Sequence, residues 1–287
     1  MNTIIGGSGF VGSRLISKLG AKNCKNIDRK NSPFFNQITE IGDIRFMNQI
    51  HLADNCKSVI LLAAEHRDDV SPNSMYYDVN VSGTKNVLKK MDELGINNLI
   101  FTSSVAIYGL NKNNPDENHI QDPFNHYGKS KWLAEKAIKK WYEKNPHDKS
   151  VTIIRPTVIF GERNRGNVYN LLKQICSGKF NMIGHGLNKK SMAYVGNVVD
   201  FIINRLETEK PGFHIFNYAD KPDFNMNELV SVIENKMKLK TSKLKIPYWI
   251  GMIGGYGFDI ISLFLKKNLP ISSVRVKKFC ATTQFDS

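Results

Sequence analysis

At 287 residues the chain is long enough to bury a sizeable core, as one large domain or as a large domain with a smaller appendage. Hydrophobic residues at 41% and charged residues at 23% give an ordinary soluble balance. Four cysteines (Cys24, Cys56, Cys176, Cys280) without C-x-x-C spacing, and seven histidines without ligand spacing, exclude a disulfide framework and a zinc site. The net charge of +14 is concentrated at one end: from Lys236 onward ten Lys/Arg stand against Asp259 and Asp286, a net +8, which implies an anionic partner.

Taken in order, Thr3-Ile4-Ile5 reads as a short buried strand. The apolar run breaks at once into glycine, so no secretory leader is expected and a reducing cytoplasm is the expected compartment. Gly6, Gly9 and Gly12 form G-x-x-G-x-x-G between that strand and a helical run starting at Ser13. In this context a glycine turn lets backbone amides, here those around Phe10 and Val11, and the helix N-terminus meet a pyrophosphate. The second strand, Lys25-Asn26-Ile27-Asp28, ends in an acid. A carboxylate there accepts both hydroxyls of an adenosine ribose and favours NAD over NADP; alternatively, Asp28 caps the turn. Arg29 is placed to stack on adenine.

Gly42-Asp43-Ile44 reads as an adenine-side loop, and the strand Ser58–Ala64 carries small residues, Ala63 and Ala64, at its carboxyl end that suit close approach of a cofactor. A helix from about Ser74 to Leu94 carries Asn80. The strand Asn98–Phe101 then runs into Thr102-Ser103-Ser104. Strands alternating with helices imply an α/β chain with a doubly wound parallel sheet, its ligands at the carboxyl ends of the strands. Tyr127 and Lys131 follow, one turn apart on the same face of a helix beginning after Pro123-Phe124-Asn125-His126. A nearby ammonium stabilises a phenolate, so this pair can make an acid/base for a substrate hydroxyl out of a group whose free pKa is about 10. The same spacing also arises on any amphipathic helix with a half-buried Tyr beside a solvated Lys.

With these residues assembled, the chain resembles the extended short-chain dehydrogenase/reductase family, in its sugar epimerase/dehydratase branch. The resemblance spans nearly the whole chain: the glycine motif, Asp28, Gly42-Asp43, Leu62-Ala63-Ala64, Asn80–Thr84, Ser104 four residues before Tyr108, Tyr127-x-x-x-Lys131 and Arg155-Pro156. It implies that Ser104 hydrogen-bonds the reacting hydroxyl and Tyr127 takes its proton. It further implies that Lys131 binds the nicotinamide ribose and tunes Tyr127, and that Asn80 holds the surrounding network. NAD is the implied cofactor, held by Gly6, Gly9, Phe10, Val11, Gly12, Asp28, Arg29, Asp43, Ile44, Leu62, Ala63, Ala64, Tyr127, Lys131 and Pro156. A Rossmann domain over 1–156 is expected, with a smaller C-terminal α/β substrate lobe over 157–287 that returns some segments to the sheet. Dehydratases of this branch carry acids just after the serine position, where this chain has Val105 and Ala106. These cannot move protons, which leaves C4 epimerisation or 4-keto reduction by the same residues, or a non-catalytic NAD-binding regulator.

Three finer stretches, Leu61–Pro72, Phe160–Asn170 and Ser272–Phe279, are similar to bacterial epimerases of this branch that act on lipid-diphosphate N-acetylhexosamine for surface polysaccharide. The implied partner is a sugar diphosphate on a polyprenol, with peripheral membrane contact, a homodimer and no nucleic acid. Soluble epimerases of uridine-diphosphate sugars, which place an arginine at the position of Lys190, are the alternative. Candidate substrate contacts are Ser104, His66 and Arg67 past a strand end, Asn167 and Val168 at a helix start, and the cations Arg163, Arg165 and Arg275. Last, Ile246–Lys267 is nearly long enough to span a bilayer. Its glycines and Asp259 argue against a span and leave two readings, burial in the lobe or an interfacial segment flanked by Lys266 and Lys267.

Overall fold

The runs read as strands in the first half form strands, and the strands lie parallel. A computed structural model describes residues 1–67, 70–178, 180–208, 210–239, 244–265, 269 and 272–287. In it β1 (Asn2–Ile5), β2 (Cys24–Asp28), β3 (Thr39–Ile41), β4 (Ser58–Leu61), β5 (Asn98–Thr102) and β6 (Ser150–Pro156) form one sheet. The second half adds β7 (Val158–Phe160), β8 (Met182–Ile183), β9 (Lys189–Tyr194), β10 (Gly212–Tyr218), β11 (Asp220–Asn225) and β12 (Lys245–Ile246). Of these, β10 pairs with β6 from Gly212 opposite Ser150 to Tyr218 opposite Pro156. The main sheet therefore runs β10-β6-β5-β4-β1-β2-β3, the doubly wound Rossmann order expected, with its direction of winding reversed between β1 and β4.

Consecutive strand residues serve opposite faces, and both faces are covered by helices. The helices are α1 (Phe10–Leu19), α2 (Ser74–Tyr77), α3 (Thr84–Glu93), α4 (His126–Tyr142), α5 (Asn167–Cys176), α6 (Val195–Glu207), α7 (Met226–Met237), α8 (Tyr248–Leu265) and α9 (Ser273–Cys280). On one face Ile5, Leu61, Phe101 and Ile153 pack under α3 and α4 through Val87, Met91, Ala134 and Ile138. On the other, Ile4, Ile60, Ile100 and Ile154 pack under α1 and α6 through Leu15, Ile16, Val198 and Ile202. Both α6 and β10 come from the second half of the chain. The remaining lobe has its own smaller core, Ile175, Phe180, Met182, Met226, Val230 and Ile233, beside the sheet β11-β9-β7.

Two stretches differ from their sequence reading. The helix expected from Ser74 to Leu94 forms, but Asp78–Gly83 between α2 and α3 is π-helical, and Asn80 lies in that wider turn. The apolar stretch 248–265 is one helix, α8, long and apolar enough to cross a membrane by length and composition. Of its residues only Gly255 is buried, so the burial reading does not hold. Lys266, Lys267, Asp68 and Asp69 lie outside the described residues.

Candidate active site

The carboxyl ends of β1, β4, β5 and β6 lie side by side along one edge of the parallel sheet, and the motifs follow them. At β1, Gly6 has φ +91°, and a β-carbon there would stand 2.6 Å from the Ala63 amide nitrogen. The glycine turn and the Leu62-Ala63-Ala64 segment can meet only without that side chain. A β-carbon on Gly12 would stand 2.5 Å from Gly7 Cα, so α1 starts directly against the turn. Gly9 is the N-cap of α1 and no side chain caps the helix, which leaves the first-turn amides, including those of Phe10 and Val11, available to an anion. This cradle fits a pyrophosphate.

Around it the acids are partly engaged. Asp28 accepts from the Ser8 amide at 3.0 Å and from the Lys30 amide at 3.1 Å, which ties the end of β2 to the glycine turn. Each of its oxygens keeps acceptor capacity for a ribose. Asn26, missed in the sequence, is fully buried and accepts from the Gly7 amide at 2.8 Å while donating to Ser8 and Thr39. Asp43 is held by Arg45, whose Nη2 donates at 2.6 Å and whose amide donates at 3.0 Å. Burial pushes the Asp43 carboxyl up, but the Arg45 contacts more than offset this and hold it below the usual carboxylate range. Arg29 stands 3.9 Å from the same carboxylate. Ile44 is buried under Gly83, with Asn86 donating to its carbonyl at 2.9 Å.

Tyr127 and Lys131 lie on the first turns of α4, capped by Asn125, which accepts from the Gly128 amide at 2.8 Å. A β-carbon on Gly128 would stand 2.4 Å from the Ala106 carbonyl oxygen. The glycine thus lets the helix carrying Tyr127 press against the short 3-10 turn Val105–Tyr108 that Ser104 caps. Ser104 Oγ accepts from the Ala106 amide at 3.1 Å. Next to it, Ser103 Oγ is buried with no hydrogen-bond partner among the described residues.

Lys131 is buried, with Nζ 4.4 Å from the centre of the Phe101 ring. Burial pushes its pKa down to about 7, and Glu135 one turn further along opposes the shift. Behind the pair, Asn80 Nδ2 donates to Ser130 Oγ at 2.8 Å, and Ser130 donates to the Tyr127 carbonyl at 2.8 Å. Asn80 also accepts from the Glu65 amide at 2.8 Å and donates to the Glu65 carbonyl at 3.0 Å. One amide side chain therefore ties the end of β4 to the turn of α4 that bears Tyr127. Ser130 and Glu65 were not picked out from the sequence. Neither belongs to a spacing that marks it.

A second buried layer lies below. Arg155 on β6 grips Glu135 of α4 at 3.0 and 2.7 Å and donates to the Tyr108 hydroxyl at 2.6 Å. Tyr108 in turn donates to Asn217 of β10 at 2.8 Å. Pro156 follows Arg155, buried at the end of the same strand.

The expected substrate contacts are more scattered. His66 and Arg67 are exposed past the end of β4, and Arg67 Nε lies 3.2 Å from Glu65. Asn167 and Val168 open α5, which no side chain caps. Arg163 stacks on Phe34 in the loop after β2, at 4.7 Å, and Arg165 stacks on Tyr169 at 4.7 Å. Arg275 lies in the first turn of α9, donating to the Leu269 carbonyl at 3.1 Å. Its neighbour Lys277 reaches Phe124, three residues before Tyr127, at 5.0 Å. Lys190 is half-buried and donates to the Lys278 and Ala281 carbonyls at 2.9 and 2.6 Å. Burial pushes its pKa down to about 8, and it anchors α9.

The family model for 3-beta hydroxysteroid dehydrogenase/isomerase matches residues 3–247. The chain is 60% identical to the N-acetyl-alpha-D-glucosaminyl-diphospho-ditrans,octacis-undecaprenol 4-epimerase of Escherichia coli O157:H7, across 99% of this chain and 86% of that protein. It is 27% identical to the UDP-glucose 4-epimerase of Vibrio cholerae, across 86% of this chain and 78% of the relative. Among solved structures, the UDP-glucuronic acid 4-epimerase of Bacillus cereus in complex with NAD superposes with a TM-score of 0.73 at 20% identity, covering 86% of this chain and 87% of that one. On the family match and the shared Rossmann architecture, the chain belongs to the 3-beta hydroxysteroid dehydrogenase/isomerase family.

Proposed function

We propose that this protein is an NAD-dependent isomerase that inverts C4 of N-acetylglucosamine on undecaprenyl diphosphate, giving the N-acetylgalactosamine epimer through a transient 4-keto sugar. The observation that carries the reading is the 60% identity, over 99% of the chain, to a relative of that name. Such a product serves surface polysaccharide, and its lipid places the work at the inner face of the cell membrane.

The residues of the site support the chemistry. Tyr127 takes the proton of the C4 hydroxyl and later returns it, with Ser104 holding that hydroxyl in line. Lys131, one turn deeper, stabilises the phenolate when protonated. Asn80, through Ser130, fixes the turn on which Tyr127 stands. The glycine cradle of Gly6, Gly9 and Gly12 would hold NAD, which would supply the hydride acceptor and donor for C4. Val105 and Ala106 carry no proton-transferring group, so loss of water has no agent there. For the diphosphate we favour the α9 side, where Arg275 and Lys277 stand near the loop that leads to Tyr127.

Purified protein offered both substrates should convert the lipid-linked sugar faster than UDP-N-acetylglucosamine. Equal or faster turnover of the uridine nucleotide would overturn the lipid assignment. Tyr127→Phe should lower turnover roughly 10²–10⁴-fold while NAD stays bound; undiminished turnover would remove Tyr127 from its role.

A further inference from the structure

Helix α8 has its polarity reversed. The positions turned toward the protein are Gly251, Gly255, Asp259 and Ser262, spaced three to four apart. Gly255 lies so close to α9 that a β-carbon would stand 2.8 Å from Ser273 Cα, and one on Gly251 would meet Ile183 at 2.7 Å. The only charge in the helix is spent on this side, where Asp259 accepts from the Ser273 amide at 3.2 Å and from its hydroxyl. The outward face carries Trp249, Ile253, Tyr256, Ile260, Leu263 and Phe264, exposed by 57 to 82%. In a helix packed on a protein surface in water the two stripes would be exchanged. Here the protein contributes the polar contacts, and the surroundings must contribute the apolar ones.

We propose that α8 docks the enzyme on a lipid bilayer, lying along it with the outward stripe among the acyl chains. Eighteen residues of helix give a contact line of about 27 Å. Its aromatic residues with polar handles, Tyr248, Trp249 and Tyr256, all lie in the first half, as side chains do at a headgroup boundary. Charge decides in favour of lipid over another protein surface: from Lys236 onward the chain holds ten Lys/Arg against two acids, and one of those acids is Asp259, turned inward. Lys245, Arg275 and Lys277 are exposed just before α8 and on its packing partner α9, placed for an anionic leaflet. Through the Lys277–Phe124 contact, α9 connects this surface to the loop before Tyr127. The proposal extends the lipid-linked reading above, since docking there would bring the site to a substrate whose tail is in the bilayer.

The test uses the full chain and the double variant Ile253→Glu/Leu263→Glu, which charges only the outward face. Wild-type protein should float with vesicles of phosphatidylcholine and phosphatidylglycerol, less with phosphatidylcholine alone, and less again in high salt. The double variant, with thermal unfolding unchanged, should bind at least roughly tenfold more weakly. It should keep its turnover on a short-chain, water-soluble prenyl diphosphate sugar and lose turnover on the undecaprenyl substrate in vesicles. Wild-type protein that does not float, or a variant that floats equally well, would overturn the docking. So would light scattering that shows a wild-type dimer split by the same substitutions without vesicle binding, because a second copy would then cover α8. Intact flotation with no turnover of any lipid-linked sugar would support the docking and overturn the substrate reading instead.

Discussion

Asn80 and Ser130, fifty residues apart in sequence, meet at 2.8 Å, and Ser130 passes the contact on to the Tyr127 carbonyl. The π-helical turn Asp78–Gly83 is what presents Asn80 to this bond, and Thr84 steadies it by donating to the Asn80 carbonyl at 2.7 Å. Ser130→Ala should leave the Asn80 amide one acceptor short in a buried site, costing about 1–3 kcal/mol in urea unfolding. With Tyr127 less firmly placed, kcat should fall roughly tenfold while KM changes little. An unchanged kcat would separate this bond from catalysis.

Arg155 and Glu135 form a bidentate pair in which both side chains are almost fully buried. Arg155→Met strands the Glu135 carboxylate without its partner, and a loss of about 3–5 kcal/mol is expected on denaturant unfolding. Adding Glu135→Leu should return a large part of that loss, because the stranded charge is then gone. If the double variant is as unstable as the single one, the cost lies instead in the Arg155 bonds to Tyr108 and to the Glu117 carbonyl.

Lys131 gives a pH signature with a definite sign. Burial pushes its pKa from 10.5 down to about 7, partly opposed by Glu135. Between those values the unfolded chain holds this proton and the folded chain does not. The term therefore adds stability as pH rises from 7 toward 10.5 and is constant below 7. Relative to Lys131→Met, wild-type protein should gain on the order of 1 kcal/mol per pH unit across that window, read from unfolding at a series of pH values. Parallel pH curves for the two proteins would show that the ammonium is not disfavoured by folding.

What could be read in advance was short-range. The turn at Gly6, Gly9 and Gly12 lies between a strand and a helix in sequence as in space, and alternating strands and helices lead to the parallel sheet found. The long-range partners left no such mark. Glu135 is an ordinary helix residue until β6 brings Arg155 beneath it, and Asn26 is an ordinary strand residue until the glycine turn folds over it. Arg163 likewise meets Phe34 only in the folded chain.

By itself, the sequence determined the Rossmann architecture, the glycine turn and the one-turn Tyr–Lys spacing, because hydrophobic period, glycine turns and helical spacing are local properties of the backbone. Only the tertiary structure decided which groups support Tyr127, since a buried hydrogen bond such as Asn80–Ser130 depends on two elements being packed together. It likewise decided the direction of α8. The spacing of Gly251, Gly255 and Asp259 is present in the chain, but their close packing against α9 and Ile183 is what turns the apolar face outward.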